Sequence, residues 1–263
     1  MGNKSVIGGN AGVNTTTINL NVDAAHKTNT EFWDTIGSEF LGVTALPQYG
    51  AFVSEDKLHL LGDVKNKKAL EIGCGNGHSI KYVSDMGASE VWGLDISEEQ
   101  IKRTKKYLDT AGIDTKLICS SMENECGLPK KYFDIVYAVY AIGWATDLNK
   151  TIRLINSYLK KDGIFIFSWS HPIHKCVSQE NGKLIFTNSY FDEEWYLSPM
   201  QDKEIMLSNR KLSTYVNVLA ANGFMIEQLV EESDEEMFTK ENSDFEKKAK
   251  MLPVTFVIKA RKQ

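Results

Sequence analysis

The sequence predicts an α/β fold in which a mostly parallel sheet is covered by helices on both faces. Short apolar segments alternate with amphipathic segments from Lys68 onward, and this alternation is typical of strand–helix–strand units with right-handed crossovers. The apolar segments are nearly continuous, as expected for strands that are buried on both faces. A glycine-rich loop follows the first of these strands, at the edge where open α/β sheets bind ligands.

Seven strands are predicted in this part of the chain, because each is a short apolar run bounded by turn or helix signals. They span residues 69–72, 91–94, 116–119, 133–137, 164–169, 224–230 and 254–258. Four helices are predicted between them, and each has its own cap or stop signal. The first helix carries Ile80, Val83 and Met86 and stops at Gly87, and the second begins with a capping box at 97–100. The third helix runs from its cap Asp147 to a stop at 162–163. The fourth spans 212–222, with Ser213 as its cap and Gly223 as its stop.

The remaining segments are expected to belong to the same domain, residues 1–263. Residues 1–62 are predicted to form a flexible arm followed by helices over 30–41 and 54–61, the second capped by Ser54 and stopped by Gly62. The polar and aromatic insert 171–208 interrupts the scaffold and is predicted to act as a lid. Residues 231–250 are highly charged and are predicted to be an exposed connection.

The composition narrows the classes of function. The 263 residues carry a net charge of −5, which argues against binding to a nucleic-acid backbone. No run reaches the roughly 18 apolar residues of a membrane span, so no membrane partner is expected. The four cysteines form no Cys-x-x-Cys pair, which argues against a zinc site or a disulfide framework and favours a cytoplasmic location.

The glycine-rich loop is the segment that points to a ligand. Three glycines at alternate positions of residues 73–77 permit positive φ and a close approach of the ligand. Asp95, at the end of the next strand, can accept hydrogen bonds from both hydroxyls of a ribose, with capping of the next helix as the alternative. The dinucleotide fingerprint would need glycine where His78 stands, so a nicotinamide-dependent oxidoreductase is less favoured. The nearby Glu71 favours a ligand that carries an ammonium group.

This loop and several further motifs resemble the class I S-adenosylmethionine-dependent methyltransferases. The resemblance extends from Lys68 to the C-terminus and is carried by residues 69–77 (ALEIGCGNG), 93–97 (GLDIS), 128–129 (LP), 133–136 (FDIV) and 159–163 (LKKDG). It implies a Rossmann-like seven-stranded sheet of order 3-2-1-4-5-7-6 with an antiparallel final hairpin. It also implies S-adenosylmethionine as the cofactor and transfer of its methyl group to an acceptor.

The resemblance further implies a set of cofactor-binding residues. They are Trp33, Glu71, Gly73, Gly75, Gly77, Asp95, Ile96, Ser121, Met122 and Ala138. The glycines and Glu71 would surround the methionine moiety, Asp95 would hold the ribose, and Ile96 would lie against the adenine. Ser121 and Met122 would complete the adenine pocket, Ala138 would lie below the sulfonium, and Trp33 would close the pocket.

The acceptor side departs from the family pattern. Many members that act on small molecules have a histidine after the fourth strand, where this chain has Ile-Gly-Trp at 142–144. The Asn/Asp-Pro-Pro-aromatic loop of exocyclic-amine methylases is also absent at 137–140. His171 comes just after the fifth strand, at the sheet edge where ligands bind, and is the candidate proton acceptor, with a structural role as the alternative. The other residues predicted to line the acceptor pocket are Tyr140, Trp144, His174, Tyr190 and Trp195, for which core or lid packing is the alternative.

The expected function is methyl transfer from S-adenosylmethionine to an O, N or C atom of a small-molecule acceptor by in-line displacement. No motif requires a metal. A non-catalytic protein that binds or senses the same nucleoside is the alternative, and the sequence leaves the oligomeric state open.

Overall fold

A seven-stranded mixed sheet lies at the centre of this computed structural model, which describes residues 16–35, 44–180, 182–239 and 243–263. The strands among these residues are β1 (Thr16–Ile18), β2 (Gln48–Gly50), β3 (Val53–Ser54), β4 (Lys68–Ile72), β5 (Glu90–Asp95), β6 (Lys116–Cys119), β7 (Phe133–Val139), β8 (Leu159–Ser170), β9 (Val177–Glu180), β10 (Lys183–Phe186), β11 (Trp195–Met200), β12 (Lys203–Ser208), β13 (Phe224–Val230) and β14 (Thr255–Lys262). The helices are α1 (Val22–Thr35), α2 (Glu55–Leu58), α3 (His78–Asp85), α4 (Glu98–Thr110), α5 (Leu148–Tyr158), α6 (Pro172–Cys176), α7 (Leu212–Ala221) and α8 (Asp244–Ala249). Single 3-10 turns span Ile142–Trp144 and Glu235–Met237.

The strand order of the central sheet confirms the prediction. The sheet runs β6-β5-β4-β7-β8-β14-β13, which is 3-2-1-4-5-7-6 when its seven strands are numbered along the chain. The pairs among β4 to β8 are parallel, whereas β14 is antiparallel to both β8 and β13. Each parallel neighbour is reached through a crossover segment, so the carboxyl ends of β4 to β8 lie at one edge.

Two apolar clusters cover the two faces of this sheet. Along β8, Phe165 and Phe167 belong to one cluster, while Ile164 and Ile166 belong to the other, because successive side chains of a strand point to opposite faces. The strand is longer than predicted. It begins directly after α5 at Leu159, and the predicted helix stop at 162–163 lies inside the strand, where Asp162 has a φ of 61°.

The two predicted N-terminal helices have different bounds from those expected. Helix α1 begins at Val22, eight residues before the predicted start, and residues 36–41 of the prediction lie outside the described residues. Helix α2 is a single turn, and Ser54 makes no side-chain cap hydrogen bond. The Glu55 carboxylate ends this helix, because it accepts hydrogen bonds from the backbone N–H groups of Leu60 and Leu61, each at 2.9 Å.

The cap of α7 also differs from the prediction. Lys211, and not Ser213, precedes the helix. The carboxylate of Glu193 accepts the Lys211 N–H at 2.7 Å and also the Thr214 hydroxyl. A carboxylate from the insert therefore takes the place of the predicted serine cap. Gly223 follows the helix with a φ of 76°, which confirms the predicted stop.

The insert 171–208 forms helix α6 and two hairpins, β9–β10 and β11–β12. Strand β1 from the N-terminal arm pairs antiparallel with β11, a pairing that the sequence does not predict. Helix α1 is tied to the same hairpin by Asn29. Its side-chain amide donates to the Met206 carbonyl at 2.9 Å and accepts the Met206 N–H at 2.8 Å. The described N-terminal segment and the insert thus pack against each other.

The charged segment 231–250 is not simply an exposed connection, which corrects the prediction. It contains α8, and Asp234, Glu246 and Lys248 are buried. The Lys248 ammonium donates hydrogen bonds to the carbonyls of His174, at 2.6 Å, and Val177. A buried amine therefore joins α8 to the first part of the insert.

Burial of Lys248 makes the stability of this junction depend on pH. Burial lowers the pKa of Lys248 from 10.5 to about 8, so above pH 8 the folded state loses a proton that the unfolded state retains. The unfolded state then binds more protons, and the free energy of unfolding rises with pH. We expect the stability advantage of the wild type over Lys248→Met to grow between pH 8 and pH 10 in urea denaturation.

Lys247→Met is the control, because Lys247 lies on the same helix but is exposed. Lys247→Met removes one positive charge from the surface and leaves the buried Lys248 in place. A gap between wild type and Lys248→Met that stays constant or narrows over this pH interval would contradict the expectation.

Candidate functional site

A cavity of about 710 Å³ opens at the carboxyl ends of the parallel strands. This size lies within the range of about 300–1,000 Å³ that is typical of small-molecule sites. One side is lined by residues that follow β4, β5 and β6, and another by residues that follow β7 and β8. Helix α1 and the insert supply the rest of the wall.

The loop after β4 is held against the end of β5 by backbone hydrogen bonds. The N–H groups of Gly73 and Cys74 both donate to the Leu94 carbonyl, at 2.7 and 3.0 Å. Gly73 and Gly75 have φ values of 70° and 48°, a region that glycine enters without steric cost. A Cβ at Gly73 would lie 2.3 Å from Ala141 Cβ, whereas a Cβ at Gly75 would meet no atom within 4 Å. The loop therefore presents bare backbone to the cavity.

Asp95 connects this loop to helix α4. One carboxylate oxygen accepts the Gly75 N–H and the other accepts the Ser97 N–H, both at 2.9 Å. Burial raises the pKa of Asp95, and these backbone donors partly oppose the rise. Since a carboxylate oxygen can accept more than one hydrogen bond, each oxygen keeps capacity for a further donor.

The predicted capping box at 97–100 is only half formed. Ser97 Oγ accepts the Gln100 N–H at 3.1 Å, as predicted. The returning bond is missing because the Ser97 N–H is taken by Asp95, and the Gln100 side chain donates instead to the Trp33 carbonyl at 3.1 Å. Gln100 thereby holds α1 over the end of β5.

Glu71 is the most deeply buried acid on the cavity wall. Its side chain lies at the end of β4, the residue is 2% exposed, and its Oε2 has no hydrogen-bond partner among the described residues. Burial raises the pKa of Glu71 well above its ordinary value, and the Asp95 carboxylate adds to the rise. A cationic hydrogen-bond donor in the cavity would relieve both effects.

Four aromatic residues, Trp33, Tyr140, Trp144 and Trp169, form a further part of the cavity lining, called here the aromatic wall. Trp33 and Trp144 lie edge to face with ring centroids 5.2 Å apart, and Trp169 lies 6.0 Å from Trp144 and 5.4 Å from Tyr140. The Tyr140 hydroxyl hydrogen-bonds the Thr255 hydroxyl at 3.0 Å, and burial raises the pKa of Tyr140 to about 12. Tyr140 is therefore a neutral phenol near pH 7.

The cavity brings together most of the residues that the sequence singled out. Those on its lining are Trp33, Glu71, Gly73, Gly75, Asp95, Ile96, Ser121, Met122, Tyr140 and Trp144. Six others are not among the lining residues: Gly77, Ala138, His171, His174, Tyr190 and Trp195. Gly77 precedes α3, and a Cβ at this position would contact Thr104 and Leu108 of α4. Ala138 is fully buried in the sheet.

The two histidines of the insert do not reach the cavity. His171 is buried, its Nδ1 accepts the Ile173 N–H at 3.1 Å, and its Nε2 lies 2.6 Å from a carboxylate oxygen of Glu231. His174 packs edge-on against Phe245, and burial lowers its pKa to about 3. Their placement fits the structural alternative, and not the role of a proton acceptor beside the cavity.

Tyr190 and Trp195 hold the insert to α7. The Tyr190 hydroxyl accepts the Leu212 N–H at 3.2 Å. The Arg210 guanidinium lies over the Trp195 ring, 5.6 Å from the ring centroid. The contacts of both aromatics fit the packing role that stood as the alternative, and neither residue is among those that line the cavity.

His26 and Glu123 line the cavity although the sequence did not indicate either of them as a site residue. The buried Glu123 carboxylate accepts the Thr146 N–H at 2.5 Å and also the Thr146 hydroxyl. His26 Nε2 lies 3.5 Å from Glu123. These residues come from α1 and from the loops after β6 and β7, so no local pattern could have joined them. The described residues contain no cluster of side chains that could hold a metal ion.

Comparison with known proteins identifies the core of this arrangement. Residues 70–167 match the family model for a methyltransferase domain. The structure superposes on an S-adenosylmethionine-dependent methyltransferase from Mesorhizobium loti with a TM-score of 0.65 and 23% identity, over 78% of this chain and 95% of that one. At this identity the superposition shows the fold.

Two curated relatives differ in how much of their length is matched. An uncharacterized protein of Haemophilus influenzae is 28% identical over 78% of this chain and 85% of its own length. The sterol 24-C-methyltransferase erg6 of Aspergillus fumigatus is 30% identical over 42% of this chain, and the match covers 30% of that enzyme. Within the described ranges, no helix is long and apolar enough to cross a membrane.

The aromatic wall depends on the absence of a side chain at Gly143. A Cβ there would lie 1.8 Å from Trp169 Cε2, so Gly143→Ala must displace the indole. We expect this overpacking to lower the free energy of unfolding by about 1–3 kcal/mol and to change the tryptophan emission spectrum.

The double variant Gly143→Ala/Trp169→Phe tests the cause, because the smaller ring leaves room for the methyl group. Urea denaturation of the four proteins should give a favourable coupling energy between the two changes. Strictly additive losses would show that the clash is not the source of the effect.

Proposed function

We propose that the chain, whose residues 70–167 match a methyltransferase domain, is a class I S-adenosylmethionine-dependent methyltransferase that methylates a small molecule inside the cavity. The observation that carries the proposal is the position of Asp95. Its carboxylate is fixed by Gly75 and Ser97 and lines a cavity to which helix α1 and the insert also contribute walls. A cavity of this size suits a small acceptor better than a protein or nucleic-acid chain.

The residues on the cavity wall fit the nucleoside part of the cofactor. The open hydrogen-bonding capacity of Asp95 suits the two ribose hydroxyls, and Ile96 next to it offers an apolar surface for the adenine. Ser121 and Met122, on the loop after β6, form the opposite side of the adenine pocket. Trp33 covers the site from α1, where Gln100 holds its backbone.

The methionine part fits the loop after β4. Gly73 and Gly75 give it access to bare backbone, and the unpartnered Oε2 of Glu71 can accept a hydrogen bond from the ammonium group. Gly77 and Ala138 support the site indirectly, since Gly77 precedes α3 and Ala138 is fully buried in β7 next to the lining residue Val139.

Bound S-adenosylmethionine supplies a methyl group that is already activated by its sulfonium. The chain's own residues then have to align the acceptor and exclude water, and alignment alone can contribute about 7–11 kcal/mol. Trp33, Trp144 and Trp169 exclude water at the wall. Of the histidines, His26 has the carboxylate of Glu123 beside it at the cavity, so we assign to His26, and not to His171, any proton that the acceptor releases.

The function is tested by supplying methyl-labelled cofactor with a cell extract divided by molecular mass. We expect label to enter the low-molecular-mass fraction and to require the intact protein, because the cavity has the size of a small-molecule site. Label that enters only macromolecules would contradict a small-molecule acceptor. A cytoplasmic location and the absence of nucleic-acid partners remain predictions.

Loss of the Asp95 carboxylate is expected to weaken cofactor binding. Each hydrogen bond to a charged group contributes about 1.5–3 kcal/mol and two are assigned to Asp95, so Asp95→Ala should lower the affinity for S-adenosylmethionine by at least about 100-fold in calorimetric titration.

Asp109→Ala, at an exposed position of α4, is the control for loss of an acid and should bind as the wild type does. Circular dichroism verifies that Asp95→Ala is folded. A folded Asp95→Ala protein with full affinity would refute the assignment of the ribose to Asp95.

A further inference from the structure

We propose that the methyl acceptor is a cationic, amine-bearing molecule, recognised by its N–H groups and its positive charge on the insert side of the cavity. This inference rests on the proposed function, because it concerns the part of the same cavity that lies beyond the cofactor-binding loop. It concerns the group that is recognised and does not require that this nitrogen receives the methyl group.

Unmet hydrogen-bonding capacity on the cavity wall is the first observation. Four lining residues have a buried side-chain atom without a hydrogen-bond partner among the described residues: Glu71 Oε2, Gln100 Oε1, Ser178 Oγ and Asn209 Oδ1. Three of these atoms only accept hydrogen bonds, and the serine hydroxyl can accept as well. Since buried polar atoms are costly when unpaired, a ligand that fills this cavity has to supply donors.

Two of the four residues with unpaired atoms, Ser178 and Asn209, lie in or directly after the insert 171–208. We call this part of the cavity wall the insert side. Ser178 is on β9 and is only 6% exposed, yet its hydroxyl reaches the cavity wall without a partner. Asn209 follows β12. Both residues are separate from Asp95 and the loop after β4, so the nucleoside contacts proposed above leave their acceptor capacity unused.

The charges on the same side are the second observation. Glu180, Asp192 and Glu194 line the cavity, and within the described part of the chain none of them forms an ion pair. Lys175 is the one cationic lysine or arginine among the described lining residues, and its ammonium donates to the Tyr196 hydroxyl at 2.8 Å. The insert side therefore carries an excess of negative charge that attracts a cation and repels an anion.

Aromatic rings complete the environment for a cation. Trp144, Trp169 and Tyr140 line the cavity, and the face of an aromatic ring attracts an ammonium group, more strongly where water is excluded. Aromatic faces, unpaired acceptor atoms and unpaired carboxylates favour the same ligand chemistry. Of the two unpaired groups that the cofactor contacts leave unused, Asn209 Oδ1 offers no donor to an anionic acceptor and Ser178 offers only its hydroxyl.

The test uses three ligands that share a phenol ring and differ in charge: tyramine, 4-ethylphenol and 3-(4-hydroxyphenyl)propanoate. Each is titrated calorimetrically into the full-length protein saturated with S-adenosylhomocysteine. We expect tyramine to bind at least about 10-fold more tightly than 4-ethylphenol, and the carboxylate to bind most weakly. Equal affinities, the reverse order, or no binding by tyramine would overturn the proposal.

Charge variants test whether the three acids of the insert cause the preference for tyramine over 4-ethylphenol. The triple variant Glu180→Gln/Asp192→Asn/Glu194→Gln should reduce the affinity ratio of tyramine to 4-ethylphenol toward one. The control Asp85→Asn/Asp109→Asn/Glu125→Gln removes three exposed acids that lie outside the cavity lining and should keep the ratio. An unchanged ratio in the first variant would also overturn the proposal.

The labelled product of the extract experiment gives an independent result. We expect it to be retained on a cation exchanger at neutral pH. Label transfer to a neutral or anionic product would overturn this inference and leave the proposed function intact. Failure of the protein to bind S-adenosylhomocysteine at all would overturn both.

Discussion

The site depends on one carboxylate that joins three segments of the sheet edge. Asp95 ends β5, accepts the Gly75 N–H from the loop after β4, and accepts the Ser97 N–H at the start of α4. Because both bonds come from the backbone, the carboxylate has a fixed position before any ligand arrives. The conformational cost of building the site is therefore met by folding, which leaves more of the interaction energy for binding.

The cover of the cavity comes from segments that are far from the sheet in sequence. Strand β1 extends the β11–β12 hairpin, and the Asn29 amide is paired with the Met206 backbone, 177 residues away. Helix α1 thereby carries Trp33 and His26 to the cavity while the insert carries Ser178 and the unpaired acids. The sheet edge and the rest of the cavity wall are thus built from different parts of the chain, so the rest of the wall can vary while the sheet edge stays the same.

Local patterns were sufficient for the sheet and for the part of the cavity wall at the sheet edge. Buried parallel strands are continuous apolar runs, and the loop, Asp95 and Ile96 follow two of them directly, so spacing along the chain indicated their place. The rest of the cavity wall could not be predicted in this way. His171 was expected at the cavity because it follows β8, but Glu231, 60 residues away, holds its ring. His26 was passed over because its neighbour Thr146 is 120 residues away, and Lys248 was expected to be solvated although carbonyls of the insert surround its amine.

The central claim is that the fixed carboxylate of Asp95 binds the ribose of the cofactor. A crystal structure of the protein with S-adenosylhomocysteine tests this most directly. The account predicts that both ribose hydroxyl oxygens lie about 2.5–3.0 Å from the Asp95 carboxylate oxygens, while the hydrogen bonds from Gly75 and Ser97 persist. A nucleoside bound elsewhere, or ribose hydroxyls that make no contact with Asp95, would contradict it.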